Sequence, residues 1–229
     1  MFFWNLYVDG KSIRGEEWES IDAGLEELRR HPEFAQELDQ ILEVQFAHIK
    51  TVGKAISFKN FSSPLLAHAT YSRYELVGAI GWARLKAGSL HSNGASRTPA
   101  ATLEGVFWVK EEQLDLFLVT LEKGETFSPS TRFHDYAISP TTFRWETQNK
   151  TSQESPVGKR YLSQATSGTD VLFAMREFSR SNGFTQHFKL LGLADFIRAI
   201  GSKPIKIDWQ LRTPMDPQTF KTAAAVKTA

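Results

Sequence analysis

Residues 204–212 constrain the fold more than any other stretch. Ile205, Ile207, Trp209 and Leu211 alternate with Lys206, Asp208, Gln210 and Arg212. A period of two puts every apolar residue on one side of an extended chain and every polar residue on the other. The segment therefore predicts a strand with one dry face and one wet face. Six more segments have strand character: Gly105–Val109, Leu114–Leu121, His134–Ser139, Thr142–Gln148, Asp170–Phe178 and His187–Leu193. Turn residues separate them. Seven short strands in about 110 residues predict a barrel or a strongly curved sheet.

The pattern upstream is different. Trp18, Ile21, Leu25 and Leu28 recur at helical spacing over 16–30, as do Phe34, Leu38, Ile41, Leu42 and Phe46 over 33–50, with Pro32 at the boundary. Asp9-Gly10 between apolar runs signals a hairpin within 2–14. Ser72-Arg73-Tyr74-Glu75 has the form of a capping box, which starts a third helix continued by Leu76, Ala79, Ile80 and Ala83. The stretch Ala87–Ala100 is rich in Gly, Ser, Asn and Pro and reads as a loop. The expected fold class is thus α+β, with N-terminal helices followed by a curved β-barrel. The expected divisions are a helical lead-in over 1–100, a barrel over 101–215 and a flexible tail over 216–229.

The formal net charge of +1 hides an asymmetry. Residues 1–50 hold five Lys and Arg against eleven Asp and Glu, whereas residues 129–213 hold twelve against seven. A basic C-terminal half suits a polyanion-binding surface. Cysteine is absent, which removes disulfides, thiolate metal sites and cysteine nucleophiles and fits a reducing cytoplasm. No apolar run approaches the roughly 20 residues that span a bilayer. The opening residues lack a basic n-region and a cleavage site, so no secretory signal is expected. Lys11-Ser12 lacks the first glycine of a phosphate-binding loop, since Asn5 stands there. The six histidines are scattered, and no nucleophile–base signature is present. The expectation is a non-catalytic binding module without metal or cofactor.

One stretch combines two kinds of chemistry. Residues 128–161 interleave Phe133, Tyr136, Phe143, Trp145 and Tyr161 with Arg132, Arg144, Lys150, Lys159 and Arg160. Phosphates need cations and short donors, and bases need flat rings and a few edge-reading polar groups. The competing reading makes Tyr136, Phe143 and Trp145 core residues of two neighbouring strands.

An ordered set of motifs runs through the same region. It comprises Asp115-Leu-Phe-Leu-Val-Thr-Leu, Ser128-Pro-Ser-Thr-Arg-Phe-His-Asp-Tyr-Ala-Ile-Ser, Phe143-Arg-Trp-Glu-Thr-Gln and the string from Thr151 to Tyr161. Val171-Leu-Phe-Ala-Met-Arg-Glu and Gly201-Ser-Lys-Pro-Ile close the set, and Tyr71-Ser-Arg-Tyr-Glu-Leu precedes it. These resemble the uncharacterised C-terminal domain of prokaryotic superfamily-2 helicases and helicase-type restriction proteins. The resemblance covers about 65–215. It implies a SET- and RING-associated (SRA), PUA-like fold that flips a 5-methylcytosine into an aromatic pocket of double-stranded DNA. A helicase or nuclease domain in cis or trans is the implied partner, although this chain has neither helicase nor nuclease motifs. By that analogy Tyr136, Trp145 and Phe133 stack the base, Asp135 accepts from the cytosine amine and Gln148 bonds another edge. Arg132, Arg144, Lys150, Lys159 and Arg160 hold phosphates, with Thr151, Ser152 and Ser155 as short donors. Asp135 and Tyr136 point to opposite faces of a regular strand, so a shared pocket requires a strand end or bulge. The Thr151–Tyr161 string has a second reading as a rigid turn. The alternative function is a coupling domain that docks on a helicase core through its acidic helices.

Overall fold

The computed structural model describes residues 26, 29–47, 53–60, 62–86, 89–92, 105–122 and 135–225. Helix α1 covers Pro32–Ala47. Three two-residue strands follow, β1 (Lys54–Ala55), β2 (Leu66–Ala67) and β3 (Thr70–Tyr71), and then α2 (Arg73–Ala79). Strands β4 (Ala83–Lys86) and β5 (Ser89–Ser92) pair as a hairpin. Next come β6 (Val106–Val109), β7 (Leu114–Glu122), β8 (Tyr136–Ser139) and β9 (Thr142–Glu146). Helices α3 (Pro156–Leu162) and α4 (Gln164–Ser167) lead into β10 (Asp170–Phe178). A small hairpin, β11 (Arg180–Ser181) and β12 (Phe184–Thr185), precedes β13 (Phe188–Ile200) and β14 (Lys206–Leu211), and α5 (Pro217–Ala225) ends the described chain.

The main sheet runs in the order β6-β7-β10-β13-β14-β9-β8, with β3 added beside β13. All its ladders are antiparallel except β7 with β10. A parallel pair needs a long crossover. Here the crossover includes β8, β9, α3 and α4, so the far half of the sheet is threaded before the central strand is laid down.

Each of the seven segments with strand character contains one of the main strands β6, β7, β8, β9, β10, β13 and β14. The closed barrel is not what they build. Among the described residues no ladder joins edge strands β6 and β8, and the sheet is open. Apolar cover substitutes for closure. One face carries Phe117, Phe143, Trp145, Phe173, Ile207 and Trp209, closed over by Tyr161 of α3 and Ala223 of α5. The other face carries Phe107, Leu116, Leu172 and Leu190 beneath Leu76, Val77 and Trp82. Residues 65–82 therefore share a core with strands from 106 onward. With both faces covered, Asp170–Met175 is buried throughout and shows no alternation.

Helix α2 starts as its sequence dictates. The Ser72 hydroxyl accepts from the Glu75 amide at 3.2 Å, and the Glu75 carboxylate accepts from the Ser72 amide at 2.7 Å. It ends at Ala79, short of the expected Ala83, because Gly81 takes a positive φ of 72° and the chain turns into β4. The expected loop over 87–100 contains β5, so that stretch is partly extended hairpin. The expected tail from 216 is also corrected. Asp216 accepts from Thr219 N and Oγ1 at 3.0 and 2.6 Å, which caps α5 and allows Thr219 and Ala223 to be buried. The hairpin expected in 2–14 and nearly all of the helix expected over 16–30 lie outside the described residues. No described helix is long and apolar enough to cross a membrane.

Candidate nucleic-acid interface

Strand alternation sorts the residues of 135–161 onto two faces. Phe143 and Trp145 face the core, while Thr142, Arg144 and Glu146 face the other way. On β14 the same rule sends Ile207, Trp209 and Leu211 inward and Asp208 outward. The ladders then align four residues across four strands. Tyr136 is opposite Arg144, Arg144 is opposite Asp208, and Asp208 is opposite Arg198.

This row is held by charge-assisted bonds. Arg144 donates to Asp208 from Nε at 2.6 Å and from Nη2 at 2.8 Å, a two-pronged grip. Arg198 Nε donates to the same carboxylate at 2.7 Å. Arg144 Nη1 donates to the Tyr136 hydroxyl at 3.1 Å. Burial alone would raise the Asp208 pKa, but bonds from the two guanidiniums outweigh it and hold the carboxyl below its ordinary value. The hydrogen bonds to Asp208 also raise the Arg144 pKa. The acid lies at sheet level, while the Arg198 side chain is 61% exposed above it.

The neighbouring positions repeat this arrangement. Lys206 lies 3.3 Å from buried Glu146 and is half exposed itself. Arg212 grips Asp195 at 2.7 and 3.0 Å. Cations thus stand over acids along β9, β14 and β13. At the Lys206 end, two loops continue the surface. The Lys203 amide donates to the Thr151 carbonyl at 3.1 Å, and Gln153 Nε2 donates to the Gly201 carbonyl at 2.7 Å. This joins the turn holding exposed Lys150 to the turn holding exposed Lys203, and neither lysine pairs with a carboxylate among the described residues.

The residues expected to form one base pocket are not gathered in one place. Tyr136 lies on the cationic face. Trp145 lies behind it, 6% exposed and stacked on Phe117 with ring centroids 4.1 Å apart. The sheet itself separates the two rings. Asp135 is buried at the start of β8, where its Oδ1 accepts from the Glu146 amide at 2.9 Å. Gln148 is exposed beside Lys150. Arg132 and Phe133 lie outside the described residues.

The phosphate-binding set divides likewise. Arg144 and Lys150 belong to the cationic face. Arg160 is on the opposite side and bonds buried Asp115 from Nε and Nη2 at 2.8 and 2.9 Å, with its guanidinium 4.2 Å from the Trp108 ring. Burial pushes the Asp115 carboxyl up to about 6 against the pull of Arg160. Ser155 caps α3 by accepting from the Gly158 amide at 3.1 Å, and its hydroxyl donates to the Ser152 carbonyl at 2.7 Å. Thr151 is buried and Lys159 is exposed. The Thr151–Tyr161 string thus forms a tight turn and a capped helix. Asp208, Arg198, Lys203 and Lys206 were absent from the expected set. The alternation of 205–212 already placed Asp208 and Lys206 on a wet face, but no sequence signal paired Asp208 with Arg144.

Among the described residues no cluster of three His, Asp or Glu suits a metal ion. A family profile described as a domain of unknown function (DUF3427) matches residues 67–223. Comparison with curated proteins gives no match. Among solved structures, the chain is similar to the DNA recognition domain of the cytosine modification-dependent restriction endonuclease LpnPI. The identity is 11%, the coverage is 70% of this chain and 80% of that one, and the TM-score is 0.41.

Proposed function

This chain belongs to the DUF3427 family, and we propose that it is a DNA-recognition module that binds duplex through the outer face of β8, β9, β14 and β13. One observation carries the reading: the Tyr136–Arg144–Asp208–Arg198 row, continued by Lys206, Lys203 and Lys150. Acids under the sheet surface fix the cations in place, while the exposed groups present positive charge to a phosphate backbone. Arg198, Lys150 and Lys203 are the backbone contacts, and Tyr136 offers its ring and hydroxyl beside them. The finer reading is that the base recognised is a modified cytosine, with Tyr136 as the ring that meets it. It is supported by the motif resemblance and by the place of Tyr136 in the row. The module binds without cleaving DNA or hydrolysing nucleotides, as a partner of a helicase or nuclease domain.

The test is duplex binding by the whole chain at several salt concentrations, with matched plain and 5-methylcytosine duplexes. Phosphate contacts release counterions, so affinity should fall steeply with salt. Arg198→Ala and Lys150→Ala should weaken both duplexes alike, because phosphates carry no base identity.

A second reading has its own observation. Helix α1 carries four acids and no base, and leaves Ile41, Leu42, Val44 and Phe46 exposed. Such a helix suits a protein groove, as a coupling domain would require. Charge reversal on α1 would impair partner capture and leave duplex binding intact if both readings hold.

A further inference from the structure

Arg176 stands apart from the other arginines of the main sheet. Arg144 and Arg198 grip Asp208, and Arg212 grips Asp195. Arg176 pairs with no carboxylate among the described residues. Its Nε donates to Thr120 Oγ1 and its Nη1 to the Gln186 carbonyl, both at 3.0 Å, and its guanidinium lies 4.4 Å from the Phe188 ring centroid. These contacts fix the fork and leave Nη2 without a protein acceptor among the described residues. Burial and the like charge of Arg73 lower the Arg176 pKa to about 10. A half-buried cation in this state is stabilised by an anion that it does not find in the described chain.

The guanidinium lines a cavity of about 390 Å³ between the ends of β10 and β13, the β11–β12 hairpin and α5. The lining includes short donors from Ser181 and Thr222, the Gln218 amide, His187 and Lys189. Lys189 is bound to Asp216 at 2.8 Å, so the local acid is already engaged. Glu177 also lines the cavity, but it follows Arg176 on a strand and alternates away from it. Planar forks with free N–H groups match phosphate oxygens.

We propose that this cavity is a phosphate-binding site with Arg176 as its principal ligand and the surrounding hydroxyls and amides as further donors. It is distinct from the cationic row. Lys189 and Arg198 are nine residues apart on β13, roughly 30 Å at ordinary strand rise. The site does not depend on the reading of that row. The phosphate belongs either to a nucleic-acid backbone or to a free nucleotide.

Calorimetric titration of the whole chain with inorganic phosphate, a nucleoside monophosphate and a short duplex tests the proposal. Saturable binding of phosphate or the monophosphate is expected, and Arg176→Gln should weaken it roughly tenfold, the loss of one charge-assisted contact. Gln218→Glu places a negative charge at the rim from an exposed helix position and should weaken it similarly without touching the packing of Arg176. If the duplex arm is weakened by Gln218→Glu, the backbone supplies the phosphate. If only the monophosphate arm responds, a free nucleotide does. Absence of saturable phosphate binding by the folded chain would overturn the site, as would unchanged binding in folded Gln218→Glu. Duplex binding lost in Arg198→Ala but retained in Gln218→Glu would uphold the cationic row while leaving the duplex outside this cavity.

Discussion

Arg144 and Asp208 are 64 residues apart in sequence and direct cross-strand partners on β9 and β14, joined by two hydrogen bonds of 2.6 and 2.8 Å. Asp208 is buried and Arg198 bonds the same carboxylate. Asp208→Ala would leave Arg144 without its counter-charge at sheet level. Unfolding in urea should show a loss of about 3 kcal/mol. Arg198→Ala removes a mostly exposed partner and should cost under about 1 kcal/mol. Equal losses would mean that the carboxylate does not organise the row.

Trp145→Ala tests a different assignment. The ring is packed on Phe117 and edge-on to Tyr161, at 5.5 Å. Truncation should cost about 3–5 kcal/mol and lower the melting temperature sharply. Tyr136→Phe, by contrast, removes one hydroxyl contact with Arg144 and should cost about 1 kcal/mol. A stable Trp145→Ala protein with selectively reduced DNA binding would restore Trp145 as a base contact.

Gly158→Ala should destabilise the chain by more than about 1 kcal/mol in the same urea assay. A Cβ at this position would overlap the Ser152 carbonyl oxygen across the turn that starts α3. A neutral result would show that the 151–161 turn shifts freely.

Acid should weaken the fold. Burial alone would raise the Asp216 pKa, but Lys189 and Thr219 outweigh it and hold the carboxyl far below 3.8, and Asp208 is lowered by Arg144 and Arg198. Groups depressed in the folded state stabilise it above their unfolded pKa and lose that contribution as pH falls through the folded value. The melting temperature should therefore fall below about pH 4. Asp216→Asn should make that fall shallower, and an unchanged acid slope would remove Asp216 from the account.

Much of the fold was legible in local pattern. Alternation of Ile205, Ile207, Trp209 and Leu211 gave β14, and the Ser72–Glu75 spacing gave the start of α2. Local pattern does not encode partners. The parallel pairing of β7 with β10 joins residues more than 50 apart, so seven alternating strands fitted a barrel as well as an open sheet. Strand β13 reaches Ile200 instead of stopping near Leu193 because a register shift between Phe196 and Arg198 lets the strand bend and continue. The site was only half visible for the same reason. Alternation separates Tyr136 and Arg144 from Phe143 and Trp145 once the register between β8 and β9 is known, and composition alone mixed the two sets. Asp208 looked like one more wet-face residue until the ladder set it between two arginines.

The central claim is tested most directly by duplex affinity across a salt series for the parent chain and a Lys150→Ala, Lys203→Ala, Arg198→Ala triple variant. These side chains are exposed, so the variant should remain folded. The parent should show a steep linear fall of log affinity with log salt, and the triple variant a slope shallower by about 2–3 with weaker binding at low salt. An identical slope and affinity in the folded triple variant would place the DNA elsewhere and contradict the assignment of this face.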